Sequence, residues 1–157
     1  MAEPVEIPVF GTVYNKPGIE LLPHRDPFLF VDTLISANEE GAVAEYTFTK
    51  EKNDFFRGHF PDFPIVPGVV LVETMAQSAG AGIVARGFFG DAKPGFLFAK
   101  VENAKFKRPV RPGDKFVTVV RTVKLKKIIG VFDAKGYVNG ELAAEGILTC
   151  MLGENKD

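Results

Sequence analysis

The chain has 157 residues, 46% of them hydrophobic, with 15 Phe and no Trp, and its 19 basic and 20 acidic side chains leave a formal charge of −1. That length suits one domain able to bury about 68–70% of its unfolded surface, so a core forms without staples. The even charge balance argues against nucleic acid as the main partner, and the single cysteine, Cys150, excludes an internal disulfide or a thiolate metal cluster and points to a reducing, cytoplasmic setting.

The opening MAEPVEIPVFGTVYNKPGIE has early glutamates, no basic leader and no long apolar run, so no secretory signal or transit peptide is expected. Residues 1–20 read as a loosely ordered N-terminal arm, and 21–157 as a single domain with no repeat or linker. Phe28 to Ile35 and Ala42 to Thr49 are rich in Phe, Val, Ile and Thr; in the second, Ala44, Tyr46 and Phe48 alternate with Val43, Glu45 and Thr47. Both read as strands, the second with one buried face.

GHFPDFP follows, with Pro61, Pro64 and Pro67 stiffening the approach to a helix over about Pro67 to Arg86. Proline suits a first helical position, and Gly87 stands just past the end. Ile65 to Ala85 is long and apolar, but Glu73 near its centre would cost about 2.5–3.5 kcal/mol in a bilayer. A buried helix in a soluble protein is therefore expected, with no membrane partner. The remaining segments, FLFAKVENAKFKRPV, DKFVTVVRTVKLKK, IIGVFDAKGYV and ELAAEGILTCML, read as long strands with short turns. Asn139-Gly140 marks a type I′ hairpin between the last two. The expected α+β architecture is one long central helix, apolar on nearly every side, wrapped by a curved antiparallel sheet.

Three residues stand out for chemistry. His59 lies in a rigid loop, which can hold a general base in one place, although a loop histidine also occurs as a solvated residue. Glu73 sits among Val, Leu and Met, where desolvation raises a carboxyl pKa toward that of a general acid; Gln77, four residues on, shares its helix face. Gly68 opens the helix, whose first amides are free to meet a carbonyl oxygen gaining charge, and it has no Cβ to block the approach. A base, an acid and an amide donor suit proton abstraction beside a carbonyl with loss of a hydroxyl from the next carbon. Spacing alone leaves open whether His59 and Glu73 meet within one chain or across a dimer. His24 and His59 are the only imidazoles, and no spacing resembles a metal triad, so no metal is expected.

With LLPHRDPFLFVD (21–32), GHFPDFPIVPGVVLVETMAQ (58–77), FLFAKVENAKFKRPVRPGD (96–114) and the closing hairpin, the chain resembles the bacterial Z-type (3R)-hydroxyacyl-[acyl carrier protein] dehydratases over about residues 20–152. The resemblance implies a hot-dog fold and dehydration of (3R)-3-hydroxyacyl thioesters to trans-2-enoyl thioesters in fatty acid biosynthesis, without cofactor. It assigns His59 as general base, Glu73 as general acid, Gly68 to the thioester carbonyl and Gln77 to holding the acid. It implies a homodimer whose sites each join His59 of one subunit to Glu73 of the other, often assembled further into a hexamer. The A-type dehydratase-isomerase has aspartate where Glu73 stands, which favours dehydration without isomerisation. Asp26 departs from the tyrosine that many Z-type members carry in HRYPF, and the arm before Leu21 is longer than usual.

The implied partner is an acidic acyl carrier protein. Lys105, Lys107, Arg108 and Arg111, with Lys124, Lys126 and Lys127, form either its landing surface or a solvated strand face. Phe88, Phe89, Phe96 and Phe98 either line an acyl tunnel or serve ordinary packing. Two other readings stay open: a hot-dog acyl thioesterase, and a non-catalytic acyl-binding protein.

Overall fold

A computed structural model describes residues 5–153; the first four residues of the expected arm and the last four of the expected domain lie outside the described residues. Seven strands form one antiparallel sheet: β1 (Thr12–Pro17), β2 (Thr33–Asn38), β3 (Gly41–Thr47), β4 (Gly95–Phe106), β5 (Lys115–Lys126), β6 (Ile129–Val138) and β7 (Glu141–Gly153). Their spatial order is β1-β2-β3-β5-β6-β7-β4. The single long helix among the described residues, α1 (Gly68–Ala85), packs against every strand from β2 to β7. This is the wrapped-helix arrangement expected from the sequence.

The apolar character of α1 explains its position. Leu71, Val72, Met75, Ala76, Ala79 and Ile83 are buried together with Phe30, Phe48, Phe116, Phe132 and Leu148 from the sheet side. Complete burial of such side chains contributes about 1.5–3 kcal/mol each. The helix is long and apolar enough to cross a membrane, yet 67% of it is buried inside the protein. Thr74 and Ser78, also buried, donate to the carbonyls of Val70 (2.7 Å) and Thr74 (2.9 Å), so their hydroxyls are satisfied within the helix. Close approach depends on glycine: a Cβ on Gly82 would lie 2.6 Å from Ala42 Cβ, and one on Gly80 2.5 Å from the Phe96 ring.

The helix begins one residue later than expected, because Pro67 stays extended as the N-cap, and Gly87 turns the chain out at φ +80°. Asn139 and Gly140 both have positive φ, 52° and 76°, as the type I′ turn requires. Two expectations need correction. Phe28–Asp32 is not strand, since Gln77 from α1 takes both the amide of Phe30 (2.7 Å) and the carbonyl of Phe28 (2.9 Å); β2 starts at Thr33. The arm is not loosely ordered over its described part. Phe10 packs with Val43, Val119 and Tyr137 on the outer face of the sheet, and its amide donates to Ser36 Oγ at 3.1 Å. The chain then pairs with β2 as β1, whose mostly exposed side chains carry no alternating pattern to announce a strand.

Candidate active site

His59 is set by a short, heavily bonded loop. A 3-10 turn over Asp54–Arg57 precedes it, the His59 amide donates to Phe55 O at 3.0 Å, and its carbonyl accepts from the Ile65 amide at 2.9 Å. Its ring Nδ1 lies 3.1 Å from Ile65 O. A carbonyl only accepts, so Nδ1 carries a proton, and the neutral ring has its lone pair on Nε2, the form a general base needs. The Phe60 ring stacks on the imidazole at 4.3 Å and limits its rotation.

His59 opens onto a cavity of about 550 Å³ shared with Gly68, Val69, Phe106, Lys107 and Arg108. The first helical bonds are donated by Val70 and Leu71 to Pro67 O, so the amides of Gly68 and Val69 precede the ladder and are the donors a helix start presents. A Cβ on Gly68 would stand 3.0 Å from the Phe106 ring, so glycine keeps that amide approachable. Base and amide thus face one space.

Glu73 occupies different surroundings. Gln77 Nε2 donates to its Oε2 at 2.8 Å. The orientation of that amide is unambiguous, because Gln77 Oε1 accepts from Phe30 N–H and Nε2 also donates to Phe28 O. Burial pushes the Glu73 carboxyl above its ordinary range, and the Gln77 bond offsets this only in part. Glu73 does not line the His59 cavity. Within one chain His59 and Gly68 share a cavity, whereas Glu73, bonded to Gln77, is not part of its lining.

The sequence reading did not assign His24 a role at the site. Its Nε2 stands 3.6 Å from Glu73 Oε2, and the signal was available: it is one of only two histidines and lies in LLPHRDPF, considered there only as a metal ligand. Among the basic candidates, Lys107 and Arg108 reach the cavity; Arg108 Nη1 donates to Glu141 Oε2 at 2.7 Å. Arg111 lies over the exposed Phe63 ring of the His59 loop at 5.1 Å, and Lys105 is exposed on β4. Lys124, Lys126 and Lys127 are exposed around the β5–β6 turn. Phe88, Phe89, Phe96 and Phe98 do not line the cavity; Phe89 and Phe96 pack edge-to-face, and Phe96 fills the notch at Gly80.

A helix enclosed by an antiparallel sheet, with its catalytic candidates on that helix and on the loop before it, defines a hot-dog protein. The architecture is similar to the ApeI:P dehydratase heterocomplex of Xenorhabdus doucetiae, with a TM-score of 0.76 and 15% identity over 89% of this chain and 93% of that one. It is also similar to the PaaI protein of E. coli, with a TM-score of 0.57 and 18% identity over 75% and 80% of the two chains. Residues 22–147 match the FabA-like domain. The 3-hydroxyacyl-[acyl-carrier-protein] dehydratase FabZ of Pectobacterium atrosepticum is 40% identical over 84% of this chain and 87% of its own. That of Lactococcus lactis subsp. cremoris is 40% identical over 86% and 92%. The chain belongs to the FabA-like dehydratase family, beside the FabZ enzymes.

Proposed function

We infer that this chain removes water from (3R)-3-hydroxyacyl thioesters carried by acyl carrier protein, giving trans-2-enoyl thioesters for fatty acid biosynthesis in the cytoplasm. The observation that carries the mechanism is the division of labour along α1. His59 Nε2 takes the proton from the carbon next to the thioester carbonyl, and the Gly68 amide donates to the carbonyl oxygen as it gains charge. Glu73 gives its proton to the departing hydroxyl, the C–O bond breaks, and water leaves. The products are the enoyl thioester, an imidazolium and a carboxylate, reset by proton exchange.

Because the two halves are apart in one chain, the reading requires two copies, each supplying His59 to the other's Glu73. Edge strand β4 supports a dimer: it is exposed along most of its length and presents Leu97, Val101 and Phe106. Val69, 79% exposed on an otherwise enclosed helix, marks the same face as an interface. Lys107 and Arg108 at the cavity, with Arg111 beside the loop, suit the acidic carrier and the phosphate of its prosthetic arm.

Subunit mixing tests this. H59A and E73Q homodimers are each expected to be nearly inactive. After exchange at equal amounts, half the dimers are mixed and each holds one intact site of two, so about a quarter of wild-type turnover returns. No recovery despite demonstrated exchange rules out the shared site. Release of free thiol in place of enoyl absorbance identifies a thioesterase.

A further inference from the structure

The surroundings of Glu73 treat its two oxygens unequally. Gln77 Nε2 donates to Oε2, and His24 Nε2 faces that same oxygen. The segment bearing His24 is pinned on both sides: Leu22 is fully buried, and Arg25 Nη1 donates to the carbonyls of Leu22 (2.9 Å) and His24 (2.6 Å). The other ring nitrogen, Nδ1, is buried and has no partner among the described residues. That decides the tautomer. A proton on Nδ1 would bury an unpaired donor, and an imidazolium would add an ill-solvated charge, whereas a proton on Nε2 points at a carboxyl oxygen. Burial also pulls the His24 pKa below its ordinary value, which keeps the ring neutral.

We propose that His24 is a positioning residue for Glu73: its Nε2–H closes on Oε2 as a second donor, confining the transferable proton to Oε1 and stabilising the carboxylate that proton transfer leaves behind. The proposal rests on the dehydratase reading. At 3.6 Å the contact is too long for a formed hydrogen bond, and catalytic bonds of this kind tighten when substrate excludes water. The remaining groups facing Glu73 do not replace His24. Gln77 is uncharged with both amide hydrogens used, and the Cys150 thiol on β7, pushed up to about 11 by burial and by Glu73 itself, stays neutral. In the dimer proposed above, His59 of the partner subunit is the other titratable group brought to the substrate.

The test compares wild type, H24A and H24Q, whose amide nitrogen can reach the place of the imidazole Nε2. Glu73 acts as an acid only while protonated, so kcat falls as pH rises through its pKa. Losing a donor to Oε2 disfavours the carboxylate. H24A is therefore expected to lower kcat roughly tenfold, the scale of one hydrogen bond to a charged group, with little change in KM and with the alkaline limb moved to higher pH. H24Q is expected to restore both. Independently of turnover, the Glu73 carboxyl carbon in 13C-glutamate-labelled protein, assigned by its loss in E73Q, should titrate at higher pH in H24A. If H24A does not fold, H24M keeps the volume without the donor. An unmoved limb and an unmoved carbon titration in a folded variant, or H24Q behaving like the donor-free variant, overturns the proposal. A wild type without turnover whose Glu73 titration still moves would sink the dehydratase reading and keep the pairing; normal turnover with an unmoved titration would do the reverse.

Discussion

At its first turn α1 faces an open cavity, where Gly68 meets His59 beside the exposed Val69 and Phe106; about a turn and a half further on, Glu73 is half-enclosed by Gln77, His24 and the loop through Phe30. The first region is held together by backbone bonds within the His59 loop and keeps its lone pair toward solvent-accessible space. The second is held by side chains from two segments, and its burial pushes the Glu73 carboxyl above its ordinary range. The two regions differ in kind: one offers an imidazole and helix-start amides to an open cavity, the other a partly buried carboxyl bonded by a side-chain amide. The mechanism proposed above needs both.

On the proposed mechanism the largest loss comes from replacing His59 or Glu73. H59A and E73Q are each expected to lower kcat by about 10²–10⁴-fold with the far-ultraviolet circular dichroism spectrum unchanged. Near wild-type turnover in either variant would remove that residue from the mechanism.

Next in size is the amide that ties the enclosed region together. Gln77→Leu leaves Phe30 N–H, Phe28 O and Glu73 Oε2 without their partner, and each buried group so stranded costs about 1–3 kcal/mol. Urea denaturation should show a lower midpoint and turnover should drop. An unchanged midpoint would mean that the loop from Phe28 to Phe30 is held by packing alone.

A pH comparison sharpens the contrast. Glu73 has a folded pKa above its unfolded value, so the folded state holds its proton more tightly and stability falls as pH rises from the unfolded toward the folded pKa. E73Q removes that loss. Its melting temperature relative to wild type is expected to be higher at pH 8 than at pH 4, measured by calorimetry at matched salt. A difference independent of pH would mean that burial does not hold the proton on Glu73.

The smallest effect concerns the cavity mouth. If Lys107 and Arg108 receive an acidic carrier, raising salt should increase KM for carrier-linked substrate several-fold more than for a small thioester. Equal responses would reduce these residues to a solvated strand face.

Much of this site was legible in the primary structure because its parts are local. Gly68, Glu73 and Gln77 lie within ten residues of one helix, and a carboxylate inside an apolar helical run announces desolvation before any coordinates exist. The hairpin at Asn139-Gly140 and the helix bounds followed from the same short-range rules. The misread segments depend on distant residues. Phe28–Asp32 has strand composition, but the Phe28 carbonyl and the Phe30 amide bond a glutamine more than 40 residues away; the arm's strand forms by pairing with β2, and its Phe10 is held by Ser36, Val43 and Val119.

Sequence alone was enough for the elements and the chemical types: a buried apolar helix, long antiparallel strands, one imidazole in a stiff loop and one carboxyl in an apolar run. Those follow from periodicity, turn chemistry and desolvation, all of which act over a few neighbouring residues. Which ring nitrogen of His59 meets a carbonyl, that His24 and Gln77 converge on one oxygen of Glu73, and that Glu73 lies outside the cavity lined by His59 emerged only with the folded chain. Such facts are set by distances between segments remote along the chain, which local preferences do not specify.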